Sequence, residues 1–294
     1  RGEVAGGVLD GSVEDAKRTA KGAADSVLSH LSTERRAELL ALLKPWWREI
    51  PSGSFDMGGE SSVLDIAGPI HRVTFTSGFQ MLGVPVTWAM YRLFDPGHDA
   101  ARDTFGGKLP PEAQDEVPVY NVSWFASMMF AEWVGARLPL EPEWEYACRA
   151  GTRTRFWSGD TDEDLARVGW HGDYSGGGNA QGHPHPVAQK PNNAWALHDV
   201  HGNVWEWCAD VYDGKAYAAR ADGLTVDPWR STFAVGKTLP TAAESADRGA
   251  SRVVRGGSWR VWPLNARSER RYWGGPSNLG GGVGFRLLLP PSDP

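Results

Sequence analysis

The sequence predicts an α+β fold that is rich in loops, with short strands and two main helices, preceded by a short helical extension. The 36 glycines and 15 tryptophans among 294 residues are typical of irregular segments that large aromatic side chains hold in place. Short segments of alternating polarity indicate half-buried strands, and capped stretches with apolar faces indicate helices. Hydrophobic residues make up 41% of the chain, which is enough for a sizeable core.

The helical predictions rest on caps and stop residues. The extension covers residues 1–48, and Ser32 is expected to cap a helix there with leucines on one broad face. The first main helix is predicted over residues 123–134, where the leading serine is the cap and Gly135 ends the helix. The second main helix is predicted over residues 141–149, with a proline tolerated in its first turn.

The remainder of the chain is predicted as strands and loops. Residues 51–58 read PSGSFDMG, a strand bounded by glycine and serine, and residues 71–81 alternate as one half-buried strand would. A polar segment rich in alanine and glycine at residues 213–249 is expected to be a long surface insertion. Strands are expected again from Arg252 and over residues 283–288.

Bulk properties exclude several classes of protein. A formal net charge of −6 gives no electrostatic reason to expect nucleic-acid binding. Two cysteines do not make a disulfide framework, and no apolar run reaches the roughly 20 residues of a membrane span. The chain starts at Arg1 rather than Met, so we expect a fragment or a processed form. No signal peptide is visible, which favours a cytoplasmic location.

The segment from Arg252 to Leu288 contains two kinds of sequence. Fixed-looking words, such as RGGSW at 255–259 and GFR at 284–286, alternate with clusters that follow neither a period of 2 nor one of 3.6. The clusters mix aromatic, cationic and featureless residues, which a packed core does not require. We therefore expect a surface used for binding.

Five segments, in order along most of the chain, resemble those of one family. The segments are PSGSFDMG (51–58), VPVYNVSWFASMMFAEWVGARLPLEPEWEYACRAG (117–151), LHDVHGNVWEWCAD (197–210), RGGSW (255–259) and GFR (284–286). They resemble the formylglycine-generating-enzyme/sulfatase-modifying-factor family, whose fold is a large, loop-rich C-type-lectin-like α+β domain. The resemblance implies such a domain over residues 49–294.

The enzymes of this family imply residues that this chain lacks. The formylglycine-generating oxidases use a pair of cysteines after RGGS to bind copper, because thiolates suit a cuprous ion. Residues 259–285 contain no cysteine, and Cys148 and Cys208 fall in segments that normally pack the core. Ergothioneine-type synthases bind iron through an upstream helical bundle that is rich in histidine. Residues 1–48 contain a single histidine, His30, which does not make such a metal site. We expect neither copper nor iron, and an oxidase or a regulatory relative of it remains the alternative.

The cassette at about 255–286 resembles that of diversity-generating retroelement variable proteins, in which mutagenic reverse transcription rewrites chosen positions. This implies a non-enzymatic protein that binds an unknown protein or other macromolecule through those positions. By resemblance, the variable positions are Arg260, Val261, Trp262, Leu264, Arg270, Tyr272, Trp273, Gly274, Gly275, Leu279, Gly280, Gly281 and Gly282.

Two tryptophans among these positions need a separate explanation. Randomising the adenines of the asparagine codon AAC leaves its third base unchanged and cannot produce the tryptophan codon TGG. Trp262 and Trp273 therefore derive from another template codon or are fixed. They are predicted to contact ligand, the alternative being that they pack the domain.

The fixed words are predicted to supply rigidity. Trp259 and Phe285 are expected to be buried anchors, and Arg255, Arg267 and Arg286 are expected to brace loop carbonyls or carboxylates, since a guanidinium offers five donors.

The loop at 198–206 resembles a family loop that binds a structural calcium ion. The resemblance assigns the carboxylate positions to Asp199 and Glu206 and the carbonyl positions to Gly202 and Val204. Hard oxygen ligands from a tight loop suit calcium. His198 and His201 in the same loop are expected to be hydrogen-bonding residues rather than zinc ligands.

Overall fold

The computed structural model describes residues 32–60, 67–98, 115–173, 175–220, 225–228, 250–278 and 282–289. Five helices lie in these ranges: α1 (Thr33–Leu43), α2 (Trp88–Arg92), α3 (Trp124–Val134), α4 (Glu141–Arg149) and α5 (Asp162–Val168). The strands there are β1 (Trp47–Ile50), β2 (Gly53–Met57), β3 (His71–Phe75), β4 (Phe79–Leu82), β5 (Trp205–Val211), β6 (Thr225–Val226), β7 (Arg252–Arg255), β8 (Tyr272–Gly274), β9 (Val283–Gly284) and β10 (Leu288–Leu289). Short strands, few helices and long loops confirm the predicted α+β class.

Helix α1 is the described part of the predicted extension, whose residues 1–31 lie outside the described ranges. The Ser32 hydroxyl accepts from the Arg35 N–H at 3.2 Å, as a helix cap does. Leu39 and Leu43 are buried in the main core, so this helix packs on the domain.

Both main helices form where caps and stops predict them. The Ser123 hydroxyl accepts from the Ala126 N–H at 3.1 Å and starts α3. Gly135 ends it with a φ of 79°, in the left-handed region that favours glycine. Helix α4 carries its proline in the first turn, and all nine of its residues are buried.

The strands form three small sheets among the described residues. The first has the order β1–β4–β10, the second β2–β3–β6 and the third β8–β7–β5–β9. In the third sheet β7 pairs antiparallel with both β5 and β8, and β9 pairs parallel with β5. The predicted cassette thus supplies β8 and β9 at the two edges of one sheet.

One local prediction was wrong. Residues 71–81 form two strands in different sheets rather than one, because the backbone turns at Thr76, whose N–H and hydroxyl donate to Asp227 at 2.7 and 2.5 Å. The segment between α4 and β5 is mostly loop and contains α5, which begins with a capping box between Thr161 and Asp164. The predicted insertion at 213–249 lies mostly outside the described residues.

None of the helices in the described ranges is long and apolar enough to cross a bilayer.

Candidate functional site

The two aromatic anchors of the cassette are buried, as predicted. Trp259 is packed in the main core, and its ring meets that of Tyr120 edge-on at a centroid distance of 5.1 Å. Phe285 meets Phe130 in the same manner at 5.3 Å. Each anchor therefore fixes one end of the cassette to the core.

Arg255 braces the cassette from within. Its guanidinium donates to the carboxylates of Glu145 at 2.5 Å and Glu141 at 3.1 Å, and to the carbonyl of Ser268 at 2.7 Å. Burial alone would raise the pKa of Glu145, but the guanidinium groups of Arg149 and Arg255 outweigh it and hold that pKa below its ordinary value. Glu145 is therefore charged, and this prediction for Arg255 is confirmed.

Arg286 braces the other end of the cassette. Its Nε and Nη2 donate to the two carboxylate oxygens of Glu206 at 2.6 and 2.7 Å, a bidentate pair with both side chains buried. Nη1 and Nη2 also donate to the carbonyls of Leu82 and His198 at 3.1 and 3.0 Å. The Trp144 indole N–H completes the shell of Glu206 at 2.7 Å.

The third brace is Arg271 rather than Arg267. Arg271 is buried and donates to both oxygens of Glu141, whereas Arg267 is half-buried. The guanidinium of Arg271 also lies over the Tyr217 ring, 4.1 Å from its centroid. The prediction for Arg267 is corrected accordingly, because the position of Glu141 on α4 decides which arginine points inward.

His201 fastens the middle of the cassette through one fixed tautomer. The Trp157 N–H donates to its Nε2 at 2.9 Å, so Nδ1 carries the proton and donates to the Ala266 carbonyl at 2.7 Å. Burial lowers the pKa of His201 to about 3, and the ring is neutral at any ordinary pH. His198 also bonds through its ring, with Nδ1 2.9 Å from the Lys190 carbonyl. Both histidines make hydrogen bonds, as predicted.

Between these fixed points three large aromatic side chains reach solvent. Trp262 is 52% exposed, Tyr272 43% and Trp273 41%. Packing of the domain therefore does not account for Trp262, and it accounts for Trp273 only in part.

Tyr272 and Trp273 belong to a run of four stacked rings, which we term the aromatic run. Tyr272 stacks on Trp205 at a centroid distance of 5.5 Å and on Trp273 at 5.0 Å, and Trp273 stacks on Tyr212 at 4.6 Å. The interplanar angles are 25–27°. The run starts at the buried Trp205 in β5 and ends at the half-buried Tyr212.

Framework residues bring the predicted clusters together. The Trp205 N–H donates to the Gly282 carbonyl at 2.7 Å, and the Trp205 ring stacks on Tyr272. A Cβ on Gly282 would lie 3.2 Å from Ser258 and from the Trp259 ring, directly before the first cluster. Trp205 therefore joins the second cluster to the end of the third, and Gly282 lies beside the residues that precede the first.

The predicted variable positions differ in exposure. Leu279, Gly280 and Gly281 lie outside the described residues. Among the described variable positions, three are the exposed aromatic residues named above. Five more are half-buried: Arg260, Leu264, Arg270, Gly274 and Gly275.

Three predicted variable positions do not fit that assignment. Val261 is 5% exposed and packs in the main core. A Cβ on Gly274 would lie 2.8 Å from the Trp207 ring, and Gly282 is buried with a φ of 93°. A change at any of the three disturbs the core or strains the backbone, so we assign them to the framework.

The predicted calcium loop does not offer the expected ligands. Both oxygens of Glu206 accept from Arg286, so a guanidinium already supplies the positive charge that a metal would bring. Asp199 accepts from the Ala188 N–H at 2.9 Å and from the Asn203 side-chain amide at 3.3 Å, so its two oxygens already have donors from the protein. Gly202 and Val204 lie in the same buried loop. Within the described ranges no group of three His, Cys, Asp or Glu side chains is placed to hold a metal. The residues present do not fit a calcium ion.

Both cysteines are buried and free. Burial raises the pKa of Cys148 to about 12, and the pKa of Cys208 is likewise raised by burial. Cys148 Sγ lies 3.9 Å from the ring Nε2 of His201, which is already engaged by Trp157. Neither thiol is set up to form the thiolate that nucleophilic or copper chemistry requires, which agrees with a structural role.

Three residues of the site were not predicted from the sequence. Trp205 and Tyr212 complete the aromatic run from outside the cassette, and Arg271 is the missed brace. The alternation of Trp205, Glu206 and Trp207 is a signal from which a strand with two faces could have been predicted. Which face receives Tyr272 depends on the pairing of β7 with β8, which is set between distant segments.

The Sulfatase-modifying factor enzyme 1-like domain model matches residues 47–290. The chain belongs to this family. The formylglycine-generating enzyme of Streptomyces coelicolor is 34% identical over 297 residues, 81% of this chain and 87% of that one. The inactive Cα-formylglycine-generating enzyme 2 of Bos taurus is 32% identical over 146 residues, 44% of this chain and 48% of that one. The sulfatase-modifying-factor family thus includes enzymes and at least one protein named as inactive.

Some relatives in the sulfatase-modifying-factor family are much longer. The serine/threonine-protein kinase pkn1 of Chlamydia caviae is 31% identical over 170 residues, 58% of this chain, and the chain spans 23% of its length. Among solved structures, variable protein 1 of Treponema denticola superposes with a TM-score of 0.64 at 20% identity, covering 82% of this chain and 94% of that one. That similarity shows a shared fold and confirms the predicted C-type-lectin-like fold.

Proposed function

We propose that this chain is a non-enzymatic ligand-binding protein whose cassette at 255–286 is diversified by a retroelement and displayed on the lectin-like scaffold. One observation carries the proposal. The fixed words of the cassette are buried, and the cluster positions between them include Trp262, Tyr272 and Trp273, which reach solvent. The exposed aromatic side chains therefore lie in the irregular clusters, between the buried words RGGSW and GFR.

The division of labour inside the cassette supports this function. Arg255, Arg271 and Arg286 bind carboxylates on α4 and β5, outside the cassette, so the ion pairs that hold the cassette do not involve the exposed cluster positions. Tryptophan and tyrosine are the residue types that dominate binding hot spots, because they bury large areas with few rotatable bonds. The ligand is a protein or another macromolecule that contacts this face.

The alternative, an oxidase of the formylglycine-generating type or a regulatory relative, receives less support from the site. Its chemistry needs a cysteine pair after RGGS, and residues 259–285 contain none. Cys148 is held in the core with a pKa raised to about 12. A catalytic role would require a different thiolate source.

A comparison of genome sequence tests the proposal. We expect a near-identical template repeat beside a reverse-transcriptase gene, differing from the coding cassette at adenines. The differences are expected to fall at codons of exposed or half-buried cluster positions and to spare Val261, Gly274 and Gly282. A locus with neither repeat nor reverse transcriptase, in every strain that carries this gene, would refute diversification.

A further inference from the structure

We propose that His183 and His185 bind a zinc ion, with water completing its coordination. The inference does not rest on the proposed function, because both histidines lie outside the cassette. It starts from the sequence His183-Pro184-His185-Pro186, in which each histidine precedes a proline. A proline restricts the residue before it to extended backbone, and residues two apart in extended backbone project to the same side.

The imidazole rings of His183 and His185 lie side by side. Their centroids are 4.4 Å apart, with an angle of 36° between the ring planes. Zinc–nitrogen bonds of about 2.0–2.1 Å, at angles of about 90–110°, put the centroids of two ligating rings roughly 4.5–5.2 Å apart. A small rotation of the two side chains is therefore enough for both rings to reach one ion.

A backbone carbonyl holds each ring in one tautomer. His183 Nδ1 lies 2.9 Å from the Pro184 carbonyl oxygen, and His185 Nε2 lies 3.0 Å from the Ala180 carbonyl oxygen. Because a carbonyl only accepts, these two nitrogens carry the protons, and the lone pairs are on His183 Nε2 and His185 Nδ1. Histidine ligands of metal ions are commonly oriented in this way, by a ring N–H that donates to a carbonyl.

The two nitrogens that carry lone pairs are open to a ligand. In the part of the chain that the structure describes, no donor bonds to His183 Nε2 or to His185 Nδ1. Both side chains are half-buried, and neither nitrogen is among the buried polar atoms that lack a partner. Solvent therefore reaches both nitrogens, and an ion can enter from it.

The loop around His185 is fixed by contacts that need no ion. The Asn203 side chain accepts from the His185 N–H and donates to the His185 carbonyl, both at 3.0 Å. The indole of Trp170 stacks on the His185 ring at a centroid distance of 3.7 Å and an angle of 12°. Because the backbone and the ring of this ligand are already held in place, little conformational entropy is lost when zinc binds to it.

The ammonium group of Lys190 lies on the far side of Trp170 from the proposed site. It is 4.0 Å from the centroid of the indole, on the face opposite His185, because His185 already covers the other face. It donates to the carbonyls of Ala166 and Gly169. The indole therefore separates this positive charge from the ion.

The ligand type favours zinc over calcium. Calcium and magnesium take oxygen ligands, whereas neutral imidazole suits zinc and related transition metals. Among the described residues no third His, Cys, Asp or Glu side chain joins these two rings, so water supplies the other positions. Structural zinc sites in proteins usually have four protein ligands, and a site with two is expected to bind zinc reversibly.

Isothermal titration of the full chain with zinc chloride, after treatment with a chelator, tests the proposal. We expect saturable binding that His183→Gln and His185→Gln each weaken by about tenfold or more, because each variant removes one of the two protein ligands. The matched control is His98→Gln. His98 is also half-buried and its Nε2 lies 3.0 Å from the Tyr120 carbonyl oxygen. Since His98 is not one of the two ligands, this variant is expected to keep the affinity within about twofold of wild type.

Proton–nitrogen correlation spectra of the histidine rings give a second measurement, on the wild-type chain. Zinc is expected to shift the resonances of His183 Nε2 and His185 Nδ1, the two ring nitrogens without protons. Circular dichroism establishes that each variant is folded, and the spectra decide if one is not. The proposal would be overturned by a lack of saturable zinc binding, by binding that both variants retain, or by shifts confined to other histidines.

Discussion

Glu141 and Arg271, 130 residues apart in the chain, form a bidentate ion pair in the interior. Arg271 Nε and Nη2 donate to Glu141 Oε1 and Oε2 at 2.7 and 2.8 Å, and both side chains are almost fully enclosed. Arg255 shares Oε1 at 3.1 Å. One carboxylate on α4 thereby fixes the cassette at two points that lie on either side of its first cluster.

The Glu141→Gln variant is expected to be much less stable than wild type. Removing this charge leaves two buried guanidinium groups short of a partner, which costs about 3–5 kcal/mol in the free energy of unfolding. Urea denaturation measures the loss. The control is Asp56→Asn, which breaks an exposed pair with Arg72 and is expected to cost no more than about 1 kcal/mol. Equal losses in the two variants would show that the buried pair is not a brace.

The Asp210→Asn variant is expected to change how stability depends on pH. Burial, together with the neighbouring charge of Glu141, raises the pKa of Asp210 to about 7, against about 4 in an unfolded chain. A raised pKa favours the folded state while the group is protonated, so this contribution is full below pH 4 and is lost as the pH rises through 7. Asparagine still accepts from the Glu141 N–H, as Asp210 does at 2.7 Å.

Melting curves at pH 4 and pH 8 measure this effect. Asp210→Asn is expected to raise the melting temperature by more than about 2 °C at pH 8 and to have little effect at pH 4. A variant that is destabilised at both pH values would contradict the raised pKa.

Two tryptophans only three residues apart are expected to differ sharply. Trp262→Ala removes a side chain that is 52% exposed and is expected to cost less than about 1 kcal/mol. Trp259→Ala empties a core site and is expected to cost about 3–5 kcal/mol. Chemical denaturation of both variants measures the loss in the free energy of unfolding. A large loss for Trp262→Ala would place that residue in the framework.

Adjacent glycines provide a second comparison. Gly274→Ala would put its Cβ 2.8 Å from the Trp207 ring, whereas Gly275→Ala meets nothing closer than Asn278 at 4.0 Å. We expect a cost of about 1–3 kcal/mol for Gly274→Ala and a change within about 0.5 kcal/mol for Gly275→Ala. Thermal melts rank the stabilities of the two variants. A Gly275→Ala variant that is less stable than Gly274→Ala would contradict the assignment of Gly274 to the framework.

Calcium is expected to have no effect on stability. Glu206 is paired with Arg286, and a calcium ion would have to displace that guanidinium from a buried site. Melting temperatures with excess calcium and with a chelator are expected to agree within about 1 °C. A rise that saturates with calcium concentration would reinstate the loop as a metal site.

The sequence predicted features that local interactions control. Ser32 and Ser123 are caps because a hydroxyl satisfies a backbone N–H three residues later, whatever the rest of the fold does. The break in residues 71–81 was not predictable in the same way. It depends on Asp227, which lies 151 residues beyond the N–H of Thr76 that it accepts from.

The site shows the same limit. Buried anchors such as Trp259 follow from residue type, since large aromatic residues in a fixed word favour burial. The choice between Arg267 and Arg271 does not follow, because both are arginines in one loop and only the place of Glu141 separates them. Likewise, the fit of Gly274 against Trp207 depends on the register of β7 with β8.

The protein groups that hold the cassette through these ion pairs precede it in the sequence. Glu141, Glu145 and Glu206, the carboxylates that pair with Arg255, Arg271 and Arg286, lie upstream on α4 or in β5, and the His201 ring that holds Ala266 is upstream as well. A foreign cassette therefore docks on this scaffold if it brings the three arginines, the two aromatic anchors and residues that fit at Val261, Gly274 and Gly282. Grafts between distant relatives then exchange one contiguous stretch of coding sequence.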